Sequence, residues 1–290
     1  MPTWLGPEIK ALTTTTDQLE LRGGRRKDWA GEVSDQQVWD AHAAQKTRMA
    51  AFVNQRALAQ FKRYGESPDE LRTHLDGINP QAFVIGFARR FATYKRASLL
   101  FRDPKRLVKL LNNTDRPVQV VFAGKAHPAD GDGQALIAEV FRFTQDKRFK
   151  GKVFLVEDYD MEVGRMLVQG VDLWLNNPRR PLEASGTSGM KAAANAVPNC
   201  SVLDGWWDEA WEDGDRTNGF AIGGRTEFKS VVAQDKADGA ELYRVLEEQV
   251  LPMYFNDRPR WIRVMRQSMA SCVHAFSTRR MLEDYVAEMY

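Results

Sequence analysis

Ala82-Phe83-Val84-Ile85-Gly86-Phe87 and Val118-Gln119-Val120-Val121-Phe122-Ala123 are the stretches on which the fold turns. Both are short, rich in β-branched and aromatic residues, and mostly apolar at consecutive rather than alternating positions. That is the pattern of strands buried on both faces. Val153-Phe154-Leu155-Val156, Asp172-Leu173-Trp174-Leu175 and Ser201-Val202-Leu203 repeat it further along. Stretches of helical character separate them, over 94–111, 135–143, 161–168 and 188–196. The alternation predicts an α/β fold: a Rossmann-like parallel sheet with helices on both faces. Outward from this core, a long helix capped by Ser34 or Asp35 precedes the first strand, and a short one is expected over 67–71, where Pro68 suits a first helical position. Three helices over 239–251, 258–271 and 278–289 close the chain. Residues 1–33 read as linker or loop. Residues 1–80 are therefore expected to lead into a binding domain over 81–290.

Lys and Arg number 41 against 39 Asp and Glu in 290 residues, a net charge of +2. Nothing in that balance asks for a nucleic-acid or membrane partner, so any anion site must be local. No run is apolar enough to span a bilayer, and the first residues lack the basic and apolar segments of a leader. Two cysteines, Cys200 and Cys272, lack metal-type spacing and suit a reducing cytoplasm. The expectation is a cytoplasmic protein without a metal.

Ligands of parallel α/β sheets bind beyond the carboxyl ends of the strands, which directs attention to five turns. The first carries four cations within eight residues, Arg89, Arg90, Lys95 and Arg96. It reads either as an anion site or as a solvated helix start. In the second, His127 beside Pro128 reads more readily as structural or solvated than as a ligand contact. The third, Glu157-Asp158-Tyr159-Asp160, is acidic; its side chains suit sugar hydroxyls or helix capping, and Asp160 reads as the cap. The fourth runs from Asn176 through Glu183-Ala184-Ser185-Gly186-Thr187-Ser188-Gly189-Met190-Lys191 into three alanines. Glycines alternating with hydroxyl residues allow close approach to a phosphate. Small apolar neighbours leave Lys191 room for a bulky ring and lower its pKa toward imine-forming values. A surface lysine on an alanine-rich helix is the competing reading, and the spacing is not that of a nucleotide P-loop. The fifth turn interleaves Trp206, Trp207 and Trp211 with carboxylates, which suits sugar stacking or core packing equally.

Read in order, Gly86–Lys95 (GFARRFATYK), Phe122–Asp130 (FAGKAHPAD), Glu157–Met161 (EDYDM), Asp172–Lys191 (DLWLNNPRRPLEASGTSGMK) and Val202–Trp207 (VLDGWW) resemble the α-glucan phosphorylases, most of all the bacterial short subfamily. The resemblance covers nearly the whole chain. It implies the C-terminal domain of a GT-B glycosyltransferase. The implied reaction is phosphorolysis of an α-1,4-glucan, glycogen or maltodextrin, by inorganic phosphate to α-glucose 1-phosphate. The implied cofactor is pyridoxal 5'-phosphate on Lys191, its phosphate exchanging a proton with the substrate phosphate and its ring serving as an anchor. The resemblance assigns Arg90 and Lys95 to the substrate phosphate, and Arg89, Thr187 and Ser188 to the cofactor phosphate. Tyr159 would pack against the cofactor, and Glu183, Ser185 and Gly186 would hold glucose hydroxyls. Lys191, Arg90 and Lys95 would be the catalytic set.

Two places depart from many members, Arg89 for lysine and Ser188-Gly189 for Gly-Asn, and both match the short bacterial ones. The likeness begins at Pro2-Thr3-Trp4-Leu5. It therefore implies a partner, the N-terminal phosphorylase domain with its glycine-rich loop, sugar-binding histidine and glucan wall. It leaves homo-oligomerisation open. Two other readings stand beside it: a sugar-nucleotide-dependent glucosyltransferase with no need of Lys191, and a non-catalytic glucan-binding remnant.

Overall fold

The computed structural model describes residues 4–12, 33–65, 67, 77–214 and 217–289. Six strands, β1 Phe83–Ala88, β2 Val118–Ala123, β3 Val153–Val156, β4 Leu173–Asn176, β5 Asn199–Val202 and β6 Gly219–Ile222, form one sheet. Their order is β3-β2-β1-β4-β5-β6, and every pairing is parallel. The chain steps outward from β1 to β3, then crosses to the other side of β1 and steps outward again to β6. The carboxyl ends of β1 and β4 thus flank the switch point at which such sheets bind ligands.

Alternate residues of β1 enter two different apolar layers. Phe83, Ile85 and Phe87 pack with Leu242, Trp261 and Met265 on one face. Val84 and Ala88 pack with Met49, Val53, Val163 and Leu167 on the other. Both faces are covered, which is why the strands read as continuous apolar runs.

The first layer is supplied chiefly by α2 Pro104–Leu111, α3 Gly131–Gln145, α7 Val231–Val245 and α9 Arg258–Val273. α7 continues through a π-helical turn, Leu246–Val250, into α8 Leu251–Asn256. The second layer is supplied by α1 Asp35–Arg63, α4 Met161–Gly170 and α5 Thr187–Ala194; α6 Trp206–Ala210 and α10 Thr278–Met289 complete the set. Ser34 and Gln37 form a reciprocal capping box on α1, fixing its start where the sequence puts it.

Several expectations change. The stretch 94–111 is not one helix but two 3-10 turns, Thr93–Lys95 and Leu99–Arg102, followed by α2. Arg96 between them is left-handed at φ 51°, which a continuous right-handed helix cannot contain. Asp103 and Pro104 then restart the helix. α3 and α7 begin earlier than expected, at caps supplied by Asp130 and Ser230. β6 and α6 are not foreseen: β6, Gly219–Ile222, has one β-branched residue beside turn-type Asn218 and Gly223, and α6 spans five residues, too few to show a helical period. The helix expected over 67–71 falls almost entirely outside the described residues. Of the expected linker, residues 7–12 are helical and Ile9 is buried.

α1 is fastened at the amino edge of the sheet by a buried ionic group. Asp172 accepts from Val84 N at 2.7 Å and faces Lys46 Nζ at 2.6 Å and His42 Nε2 at 3.2 Å. Lys46 also donates to Ala82 O at 2.6 Å. Burial works to raise the Asp172 carboxyl, but Lys46 and His42 outweigh it and hold the group below the ordinary carboxylate range. Among the described residues no helix is long and apolar enough to cross a membrane, and no cluster of His, Cys, Asp and Glu could hold a metal ion.

Candidate active site

Arg89 leaves the carboxyl end of β1 and lies buried in the crevice beside β4. Its guanidinium donates to Asn176 Oδ1 and, at 3.1 Å, to Leu175 O. Asn176 is steadied in turn by donating to Ser201 Oγ at 2.9 Å on β5. Burial pushes Arg89 down to about 10, although Glu183, Tyr94 and Tyr159 favour its charged form. A guanidinium this far from water gains from an anion.

Glu183 is the anion nearest to it. Its Oε2 lies 2.7 Å from Lys95 Nζ and 3.8 Å from Arg89 Nη1, with all three side chains largely shielded. Its backbone N–H donates to Asp204 Oδ2 at 2.8 Å, and burial raises the Asp204 carboxyl above its ordinary value. Arg90 is exposed and has no side-chain partner among the described residues.

The turn into α5 closes the crevice. Gly186, at φ 91°, reverses the chain, and no side chain caps the helix that follows. Among the described residues the amides at Thr187 and Ser188 show no hydrogen-bond acceptor, as expected for the first turn of a helix without a side-chain cap. Gly205, at φ 55°, touches the same turn from α6: a Cβ there would lie 2.6 Å from Ser185 O and 2.8 Å from Glu183 O. Gly205→Ala is expected to cost roughly 1–3 kcal/mol in urea denaturation, because both backbone strain and collision arise at once. A neutral substitution would mean that the turn yields.

Lys191 sits in the second turn of α5, half-buried, with Ala192, Ala193 and Ala194 packed behind it. Burial lowers its pKa. Its ammonium lies 3.7 Å from the centre of the Trp4 ring and makes no hydrogen bond among the described residues. Trp4 is held there by its carbonyl, which accepts from Asn195 and Gln169 side chains at 3.0 Å each. Trp4 carries no sequence signal for this site, because nothing in its spacing links it to a helix that begins only at Thr187.

Tyr159 is half-buried near Arg89; burial raises its hydroxyl while Arg89 opposes that shift. Its acidic neighbours are engaged by α1. Asp160 caps α4 through Val163 N at 2.8 Å and pairs with Arg56 at 2.7 Å, while Glu157 and Asp158 pair with Arg63 at 3.0 and 3.3 Å. His127 is exposed, its Nδ1 accepting from Ala129 N, as a solvated turn requires. Trp206 and Trp207 are core residues; Trp211 is half-buried. Arg96, the fourth cation of the first turn, faces the interior. The predicted residues therefore fall into a contacting group, Arg89, Lys95 and Glu183, with Ser185–Ser188 and Lys191 carried on the adjoining turn and helix. No hydrogen bond joins Lys191 to that group.

A basic crevice, a helix start without a side-chain cap and a half-buried lysine of lowered pKa thus lie together at the switch point of a Rossmann-like sheet. No family model matches the chain. It is 42% identical over 297 residues to maltodextrin phosphorylase of Thermococcus litoralis, a match covering 99% of this chain and 34% of that protein. Glycogen phosphorylases of Aquifex aeolicus and Mycobacterium bovis are 39% and 37% identical, over 100% of this chain and 42% and 34% of theirs. The chain is homologous along its whole length to the glycogen and maltodextrin phosphorylases, and it spans about a third of the length of these relatives (34% to 42%). Its sheet is the Rossmann-like part of their GT-B fold.

Proposed function

We propose that this chain is the cofactor-bearing part of an α-1,4-glucan phosphorylase, with residues 81–290 as the binding domain and 1–80 leading into it. The observation that carries the reading is Glu183 held between Arg89 and Lys95 beside the uncapped start of the helix that bears Lys191. The residues present fit pyridoxal phosphate: a half-buried amine of lowered pKa, an aromatic ring over it, free helix amides and a buried guanidinium. When bound, the cofactor supplies a phosphate that exchanges a proton with the substrate phosphate.

Lys191 holds the cofactor's aldehyde end, and its lowered pKa leaves more of the amine uncharged at neutral pH. Thr187, Ser188 and Arg89 bind the cofactor phosphate, and Tyr159 flanks the cofactor. Arg90 and Lys95 take the substrate phosphate, and Glu183, Ser185 and Gly186 take glucose hydroxyls. The cations let two phosphates approach and stabilise the charge that moves between sugar and phosphate. Glu183 offsets one of the two positive charges of Arg89 and Lys95 when no phosphate is present. Glu183→Gln is therefore expected to tighten binding of inorganic phosphate alone by about threefold to tenfold while weakening glucan binding. Calorimetric titration of each ligand measures both changes, and unchanged phosphate affinity would contradict the assigned competition.

The partner we propose is the amino-terminal region that makes up the rest of a phosphorylase. α10 exposes Met281, Leu282, Tyr285, Val286 and Met289, four apart along one side, a stripe suited to covering by another polypeptide. The setting we propose is the cytoplasm. The test is α-glucose 1-phosphate formation from maltoheptaose and inorganic phosphate with pyridoxal phosphate present. It is run with the chain alone and with the amino-terminal region of a homologous phosphorylase added. Product in the supplemented reaction is expected; none in either, with both proteins folded and associated, would leave the glucan-binding remnant standing. Activity from a sugar nucleotide that persists in Lys191→Ala would favour the glucosyltransferase.

A further inference from the structure

Arg96 takes no part in the basic crevice. Its left-handed backbone, φ 51°, sends its side chain away from that of Lys95. Lys95 meets Glu183, whereas the Arg96 guanidinium is buried in the seam between the turns after β1 and β4. All three of its nitrogens are engaged. Nε donates to Asn177 O at 2.7 Å, and Nη2 donates to Pro178 O at 2.6 Å and faces Asp238 Oδ2 at 2.8 Å. Nη1 donates to Asp235 Oδ1 at 3.1 Å. In return Asn177 Nδ2 donates to Arg96 O at 2.8 Å.

Arg179 crosses the same seam. Its backbone N–H donates to Tyr94 O at 2.7 Å, and its guanidinium reaches Asp235 at 2.8 Å. The turn carrying Lys95 is thereby joined to the turn that leads to Glu183, and both are joined to α7.

We infer that Arg96 is a positioning residue that holds these two turns in register, so that Lys95 stays beside Glu183 and in the cation group. An ion pair serving stability alone needs only Asp235 and Asp238. Bonds from one planar fork to two successive carbonyls of the opposite turn fix the position of that turn as well, a geometry lysine cannot reproduce. The functional consequence rests on the phosphate reading proposed above; the geometry does not.

The test is Arg96→Lys, which keeps the charge and so leaves the field at the crevice unchanged while removing the fork. Should that variant not fold, Asn177→Ala cuts one stitch without changing charge. Phe149→Leu, a truncation of a buried side chain just before β3 at the amino edge, controls for general loss of stability. Two quantities are read: affinity for inorganic phosphate, and the side-chain NMR signal of Lys95, assigned through Lys95→Arg. Arg96→Lys or Asn177→Ala is expected to weaken phosphate binding by about tenfold or more, the scale of a small misplacement of binding groups. The Lys95 signal should move toward those of exposed lysines, and Phe149→Leu should change neither quantity. Wild-type values of both in folded Arg96→Lys or Asn177→Ala overturn the inference, as does an equal loss in Phe149→Leu. If the wild-type chain binds no phosphate, the phosphate reading fails, and the Lys95 signal alone decides the role of Arg96.

Discussion

Lys191→Ala is expected to abolish retention of pyridoxal phosphate, with a loss of affinity on the order of a hundredfold or more, because the substitution removes the proposed covalent anchor. Alanine is the best helix former and Ala192 follows directly, so α5 should persist and stability should change by less than about 1 kcal/mol. Cofactor absorbance after gel filtration, with a thermal melt alongside, separates the two effects. Retention equal to that of the wild type would remove Lys191 from the site. The lowered pKa adds a pH signature. Cofactor uptake should rise with pH and reach half its maximal rate below the ordinary lysine value of about 10.4.

Asp172→Asn is expected to cost about 3–5 kcal/mol, because it leaves Lys46 charged in the interior without a counter-ion. The sign of the pH dependence follows from the direction of the shift. The folded-state pKa lies below the unfolded one, so the contribution is present above the unfolded value and is lost as pH falls through the folded value. Urea midpoints of the wild type should fall as pH drops below about 4, and that part of the decline should vanish in Asp172→Asn. Parallel pH profiles for the two proteins would show that Asp172 does not carry it.

The first five strands of the sheet were legible because burial on both faces forces consecutive apolar residues, and β1 to β5 lie within two residues of their expected places. β6 was not, since Gly219-Phe220-Ala221-Ile222 carries a single β-branched residue and sits between Asn218 and Gly223, which read as turn. Of the site, the Glu183–Lys191 turn could be read from local chemistry: glycines, hydroxyls and a lysine before small residues. Lys95 meeting Glu183 could not, because that pair depends on β1 and β4 lying side by side across the switch point. Arg96 illustrates the same limit. Composition groups it with Arg89, Arg90 and Lys95, but a single positive φ turns it inward to Asp235 and Asp238. Trp4 and the Asp172 group are likewise products of packing between distant segments.

The central claim is that this chain binds pyridoxal phosphate at Lys191, in a crevice whose cations are arranged for phosphate. Its most direct test is to load the wild-type protein with pyridoxal phosphate, reduce it with borohydride and map the pyridoxyl group by peptide mass spectrometry. The account predicts one modified residue, Lys191, at close to one group per chain. A group on any other lysine in preference to Lys191, or none at all, would contradict it.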